Sequence, residues 1–154
     1  MEDVRAIQGI DADAPVTDEL LERLLKSLTP EEYLVDANLD ERSLSEYLTH
    51  LREEKGLTRA QVIRASGVGV TFAYQVFSGE RMPGRDNAIM LSFGLGATLR
   101  ETQRLLRHAG VSELWSRNRR DAIIIYCIKQ GLSREKCDDE LYRMGEATLF
   151  PREG

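Results

Sequence analysis

Gly56-Leu-Thr-Arg-Ala-Gln-Val-Ile-Arg-Ala-Ser-Gly67-Val-Gly-Val-Thr-Phe-Ala-Tyr-Gln-Val-Phe-Ser-Gly79-Glu-Arg-Met-Pro83 is punctuated for two short helices. Thr58 followed three residues later by Gln61 marks a helix start, because the threonine side chain and the glutamine amide can each satisfy a backbone N–H of the first turn. Glycine just past an apolar run marks a stop, since it takes the left-handed conformation that ends a helix. Two helices broken at Gly67, closed by Gly79 and followed by Pro83 fit a helix-turn-helix plan, in which a short glycine-bearing turn sets the pair at a steep angle.

The same punctuation recurs outward from this stretch. Further starts fit at Thr29 with Pro30 and Glu32, at Ser43 with Glu46 and at Thr98 with Glu101; further stops fit at Gly56, Gly96, Gly110, Gly131 and Gly145. Eight helices are expected, near 18–28, 30–37, 43–55, 59–66, 70–78, 86–94, 98–109 and 118–144, the last split at Gly131, with no strand. Leu44, Tyr47, Leu48 and Leu51 have the spacing of one buried helix face. The run from Ala122 to Ile128 suits a buried strand or a buried helix, and an internal repeat decides for the helix. A shift of 35 residues lays 85–110 on 120–145, matching Arg85 with Arg120, Asp86 with Asp121, Ile89 with Ile124, Gly96 with Gly131, Leu106 with Leu141 and Gly110 with Gly145. Thr98 also meets Ser133, so two helical hairpins of one plan follow each other.

A chain of 154 residues supports one domain or one domain with an extension. Its longest apolar run is far shorter than the ~20 residues of a membrane helix, and acids occupy the first thirty residues where a secretory signal needs basic and then apolar ones. A cytoplasmic protein is expected. Cys127 and Cys137 form neither a CxxC nor a disulfide framework and read as reduced bystanders. His50 and His108 have no Cys, Asp or Glu at zinc-ligand spacing, so no metal site, cofactor or nucleophilic catalysis is expected, and no enzyme. The net charge of −5 is unevenly spread: 3 basic against 11 acidic residues in 1–40, 13 against 8 in 41–120, and 5 against 7 in 121–154. A basic middle between acidic ends suits an anionic partner or neutralisation between segments.

From Leu44 to Leu106 the sequence resembles the lambda-repressor-like (Cro/repressor, XRE-type) DNA-binding family. The resemblance rests on Lys55-Gly56-Leu57-Thr58, the turn Ser66-Gly67-Val68, the closing Ser78-Gly79-Glu80-Arg81-Met82-Pro83, then Leu91, Leu95-Gly96 and Thr98-Leu99-Arg100-Glu101. It implies a five-helix bundle whose helix 70–78 enters the major groove, with Val70, Thr71, Tyr74 and Gln75 toward the bases and Arg59, Ser78, Arg81 and Arg85 toward phosphates. Gln75 suits adenine, Val70 and Thr71 a thymine methyl, and Tyr74 a phosphate or base. Two positions depart from the family. Ile63 stands where it usually has a small residue and Ala73 where it has a branched one, a swap that conserves volume across the turn.

The expected architecture is all-α: an acidic, partly flexible helical arm over 1–40, the helix-turn-helix domain over 41–110, and an additional C-terminal helical hairpin over 111–154. The leucines at 20, 21, 24, 25 and 28 give the arm an apolar face, to dock on its own domain or on a second subunit. Trp115 is expected as the apolar joint between the hairpins. Arg117, Arg119 and Arg120 are candidates for flanking DNA or for the acidic arm. The expected function is sequence-specific binding of double-stranded DNA by a homodimeric transcriptional regulator. The alternative is a non-catalytic protein-interaction module, antitoxin-like or adaptor, binding a protein partner through the arm or the C-terminal hairpin.

Overall fold

The structure, a computed structural model, describes residues 42–151 and, before them, Asp18, Glu22, Lys26 and residues 29–31. The chain divides into the units Met1–Glu41 and Arg42–Gly154. The helices expected at 18–28 and 30–37 fall largely outside the described residues. Over 42–151 there are seven helices and no strand: α1 Leu44–Glu54, α2 Arg59–Ser66, α3 Val70–Ser78, α4 Arg85–Gly94, α5 Leu99–His108, α6 Arg119–Lys129 and α7 Arg134–Arg143. No helix among the described residues is long and apolar enough to cross a membrane.

Local chemistry sets these boundaries. Ser43, Thr58, Thr98, Asn118 and Ser133 each accept a backbone N–H of the first helical turn, and at Thr58 and Thr98 the reciprocal bond from Gln61 and Glu101 completes a capping box. All seven glycines expected as stops have positive φ, from +62° to +85°, where any Cβ would be strained. The isoleucine run is helical, and the segment 118–144 is split by Gly131 into α6 and α7.

One apolar core runs through the unit. α1 contributes Leu44, Tyr47, Leu48 and Leu51, as the spacing predicted, and each is worth roughly 2 kcal/mol on removal from water. α2 packs on α4 and α1 on α5. α2 and α4 approach closely at Gly94, where an added Cβ would overlap the Val62 carbonyl oxygen and lie 2.9 Å from Ser66 Cβ. Ile63 and Ala73 are both buried, in keeping with the volume exchange. Phe77 is buried and Phe72 is partly buried against the core.

The 35-residue repeat extends beyond helix anchors to the hydrogen bonds. Arg85 donates from Nε to Ser112 O, from Nη2 to Glu113 O, and from both terminal nitrogens to Asp121 at 3.0 and 2.7 Å. Arg120, its repeat mate, donates from Nε to Ala147 O, from Nη2 to Thr148 O, and to Asp86 at 3.0 and 3.1 Å. Each arginine therefore clasps the carboxylate beside the other, the reciprocity of a twofold contact. The hairpin closures repeat as well. Gln103 Oε1 accepts the Leu114 N–H, and Asp138 Oδ1 accepts the Leu149 N–H. Leu114 and Leu149 are buried, whereas Trp115 and Phe150, next in each copy, are exposed. Trp115 is thus not the joint between the hairpins. Leu114 takes the burial, and the Trp115 backbone N–H donates to Asp121 at 2.9 Å.

Candidate nucleic-acid interface

The site is built by α2, the turn after it, and α3. The Thr58 capping box fixes the start of α2 and leaves Arg59 exposed in its first turn. Ser66 then shapes the turn from inside: its buried hydroxyl donates to Ile63 O at 2.7 Å and accepts the Val68 N–H at 3.1 Å. Gly67 reverses the chain at φ +80°, and Val68 is buried as the anchor between the two helices. α3 follows with Ala73, Val76 and Phe77 inward. Its C-terminal end is held to α1 by the Ser45 hydroxyl, which donates to Phe77 O. The inner face of α3 is therefore fixed on both sides, and the outer face is held in register by it.

That outer face carries Val70, 62% exposed, Tyr74, 40% exposed, and the exposed Thr71; Gln75 is half-buried beside them. Ser78 is exposed, its hydroxyl donating to Gln75 O at 3.0 Å. Arg59 and Arg81 are exposed and make no ion pair among the described residues. Arg81 follows Gly79, its N–H bonded to Gln75 O, so the cation is held at the end of α3. Arg85 does not join this group. Its guanidinium is engaged by Ser112, Glu113 and Asp121 at the junction of the hairpins. A phosphate there would have to displace a carboxylate already bound in fork geometry.

One residue that sequence reasoning missed also lies here, Arg64. Arg64 is exposed near the end of α2 and lines, with Ala60, Val70 and Tyr74, a cleft of about 350 Å³ between α2 and α3. The sequence carried a signal for it, since Arg64 precedes the turn glycine by three residues and directly follows the inward Ile63.

The charge around Asp121 is internally balanced. Burial by itself would raise this carboxyl, but the Arg85 hydrogen bonds, the Trp115 N–H and the charges of Arg85 and Arg120 outweigh that and hold it below the usual carboxylate range. The arginine cluster expected near 117–120 is likewise partly neutralised. Arg119 pairs with Glu146 at 2.9 Å and Arg120 with Asp86. Cys127 on α6 and Cys137 on α7, read in the sequence as reduced bystanders, are both buried and unbridged and lie near each other. Burial pushes both thiols up, away from the thiolate. Among the described residues no three His, Cys, Asp or Glu side chains converge as a metal-ligand set.

The family described as a helix-turn-helix domain matches residues 43–115, which takes in α1 to α5 and the loop as far as Trp115. No curated protein and no solved structure matches the chain.

Proposed function

We propose that residues 43–115, which match a helix-turn-helix domain family, bind double-stranded DNA and make the chain a cytoplasmic, non-enzymatic transcriptional regulator of the XRE type. The observation that carries this reading is α3 itself, a short helix anchored by Ala73, Val76 and Phe77. It presents Val70, Thr71, Tyr74 and Gln75, and the exposed Arg59 and Arg81 precede and follow it in the chain. In the major groove Gln75 pairs with adenine, while Val70 and Thr71 meet thymine methyls. Arg59, Arg81 and the Ser78 hydroxyl lie on the phosphates to either side. One bidentate reader discriminates by only about 1–3 kcal/mol, so a specific operator needs two half-sites and hence a homodimer.

Selection from a random duplex pool, followed by binding measurements across salt concentrations, tests the proposal. A paired half-site with a steep salt slope is expected. Gln75→Ala and Thr71→Ala should relax base preference, whereas Arg81→Ala should weaken all sequences and lower the salt slope by about one. Equal losses for the three variants count against it. A second reading, a protein-interaction module, draws on the lack of any Arg, Lys or Asn in α3 and on the apolar exposure of Val70 and Tyr74. No enriched duplex at any salt concentration favours that reading.

A further inference from the structure

The two hairpins share a framework but not an environment. In the first, the face between α4 and α5 lies under α1 and α2: Ala88, Leu91, Leu105 and Ala109 are buried, and the His108 ring lies 4.8 Å from that of Tyr47. A shift of 35 residues carries these positions to Ile123, Tyr126, Glu140, Met144 and Arg143, which line a cleft of about 470 Å³ between α6 and α7. Within residues 42–151 this cleft is left open. Tyr126 is 59% exposed and Met144 38%.

We infer that the α6–α7 face is where a second copy of this chain packs, helix pair against helix pair, forming the dimer that the DNA reading proposed above requires. The pseudo-equivalent face shows what such a surface takes, since helices cover it in the first hairpin. The charge pattern selects a copy of the same chain. Arg143 pairs with Glu140 at 2.6 Å and Arg119 with Glu146 at 2.9 Å, so the rim is neutral and carries both signs. A twofold contact needs a self-complementary patch, and Arg143 and Glu140, paired within each copy, can exchange partners across such a contact. A strongly charged partner finds no excess charge to match. Tyrosine and methionine at the centre with charges at the rim match the composition of protein interfaces. The face shares no residue with α3, so dimerisation there leaves the reading surface free.

The test is the solution mass of the full chain and of the double variant Tyr126→Glu/Met144→Glu, by sedimentation equilibrium, with helical content followed by circular dichroism. The wild type is expected at twice the chain mass of 17.5 kDa. The double variant is expected at one chain mass with helical content unchanged. Its affinity for a paired half-site should fall on the order of 10²-fold, toward that for a single half-site, as the linked second contact is lost. A wild type of one chain mass at every concentration overturns the inference, as does a double variant that stays dimeric. Should the double variant lose helicity, Tyr126→Lys alone, at an exposed position, decides the question by the same mass measurement. The DNA reading fails separately: a dimer broken by the variant, yet selecting no duplex, keeps the interface and loses the operator.

Discussion

The first hairpin, α4 and α5, and the second, α6 and α7, are two uses of one framework, and they differ where other parts of the chain touch them. The helix stops, the side-chain cap on the second helix, the arginine clasp and the closing backbone bond recur at a 35-residue shift. The outer faces do not. Leu91, Leu105 and Gly94 in the first become Tyr126, Glu140 and Lys129 in the second. Framework residues follow the hairpin's own geometry, whereas face residues follow what packs on it. Surface that contacts nothing within the unit is thereby marked as available to something outside it.

Opening the two clasps separately puts the most strain on this parallel. They are equivalent in hydrogen-bond pattern but not in burial, since the Asp121 side chain is 7% exposed and that of Asp86 44%. Arg85→Ala strands a buried carboxylate and should cost about 3 kcal/mol in urea unfolding, while Arg120→Ala leaves Asp86 to water and should cost about 1 kcal/mol. Equal losses would mean that the clasps act as a unit and that burial does not rank them. Asp121 also predicts a pH dependence. Its folded-state pKa is lowered, so its stabilisation is present above the unfolded value of about 3.9 and is lost as pH falls below it. The unfolding curves of the wild type and Asp121→Asn should therefore converge in acid.

Next in size is the contrast between Gly94 and Lys129, the same position in the two copies. A Cβ at Gly94 meets the α2 backbone at Val62, which cannot rotate away, so Gly94→Ala should cost about 2–3 kcal/mol and displace α2. Lys129→Ala, on an exposed face, should stay within about 0.5 kcal/mol. DNA affinity measured beside thermal melting adds a second readout, since a shift of α2 also moves Arg59 and the turn that aims α3.

What was legible in the sequence follows from the same distinction. Caps and glycine stops are local, so Thr58, Thr98 and the seven glycines place the helices without any knowledge of packing. The row Val70, Thr71, Tyr74 and Gln75 comes from the family resemblance, and the structure exposes the first three and half-buries Gln75. Arg85 and Trp115 are harder because their partners are set by tertiary contact. Arg85 reads as a cation following α3 until Asp121, 36 residues away, claims it. The clue lies in the repeat: Arg-Asp at 85–86 and again at 120–121 suits reciprocal pairing better than two phosphate contacts. Trp115 and Phe150 occupy one register, and the leucine before each is the residue that is buried. Arg64 is hidden for a different reason, because its nearness to α3 depends on the angle that the turn sets between the two helices.

The mildest substitution asks whether the cores of the two hairpins are interchangeable. Where the second hairpin buries Cys127 and Cys137, the first buries Ser92 and Thr102, whose hydroxyls donate to Ala88 O and Thr98 O one turn back. A serine at 127 stands in the same helical position and has the Ile123 carbonyl one turn back as its acceptor. Cys127→Ser should therefore leave no buried hydroxyl unpaired and cost about 1 kcal/mol or less in urea unfolding, chiefly the difference between thiol and hydroxyl desolvation. A loss several times larger would show that the contact with Cys137 contributes specifically to holding α6 and α7 together. The second hairpin's interior would then have diverged from the first as far as its surface has.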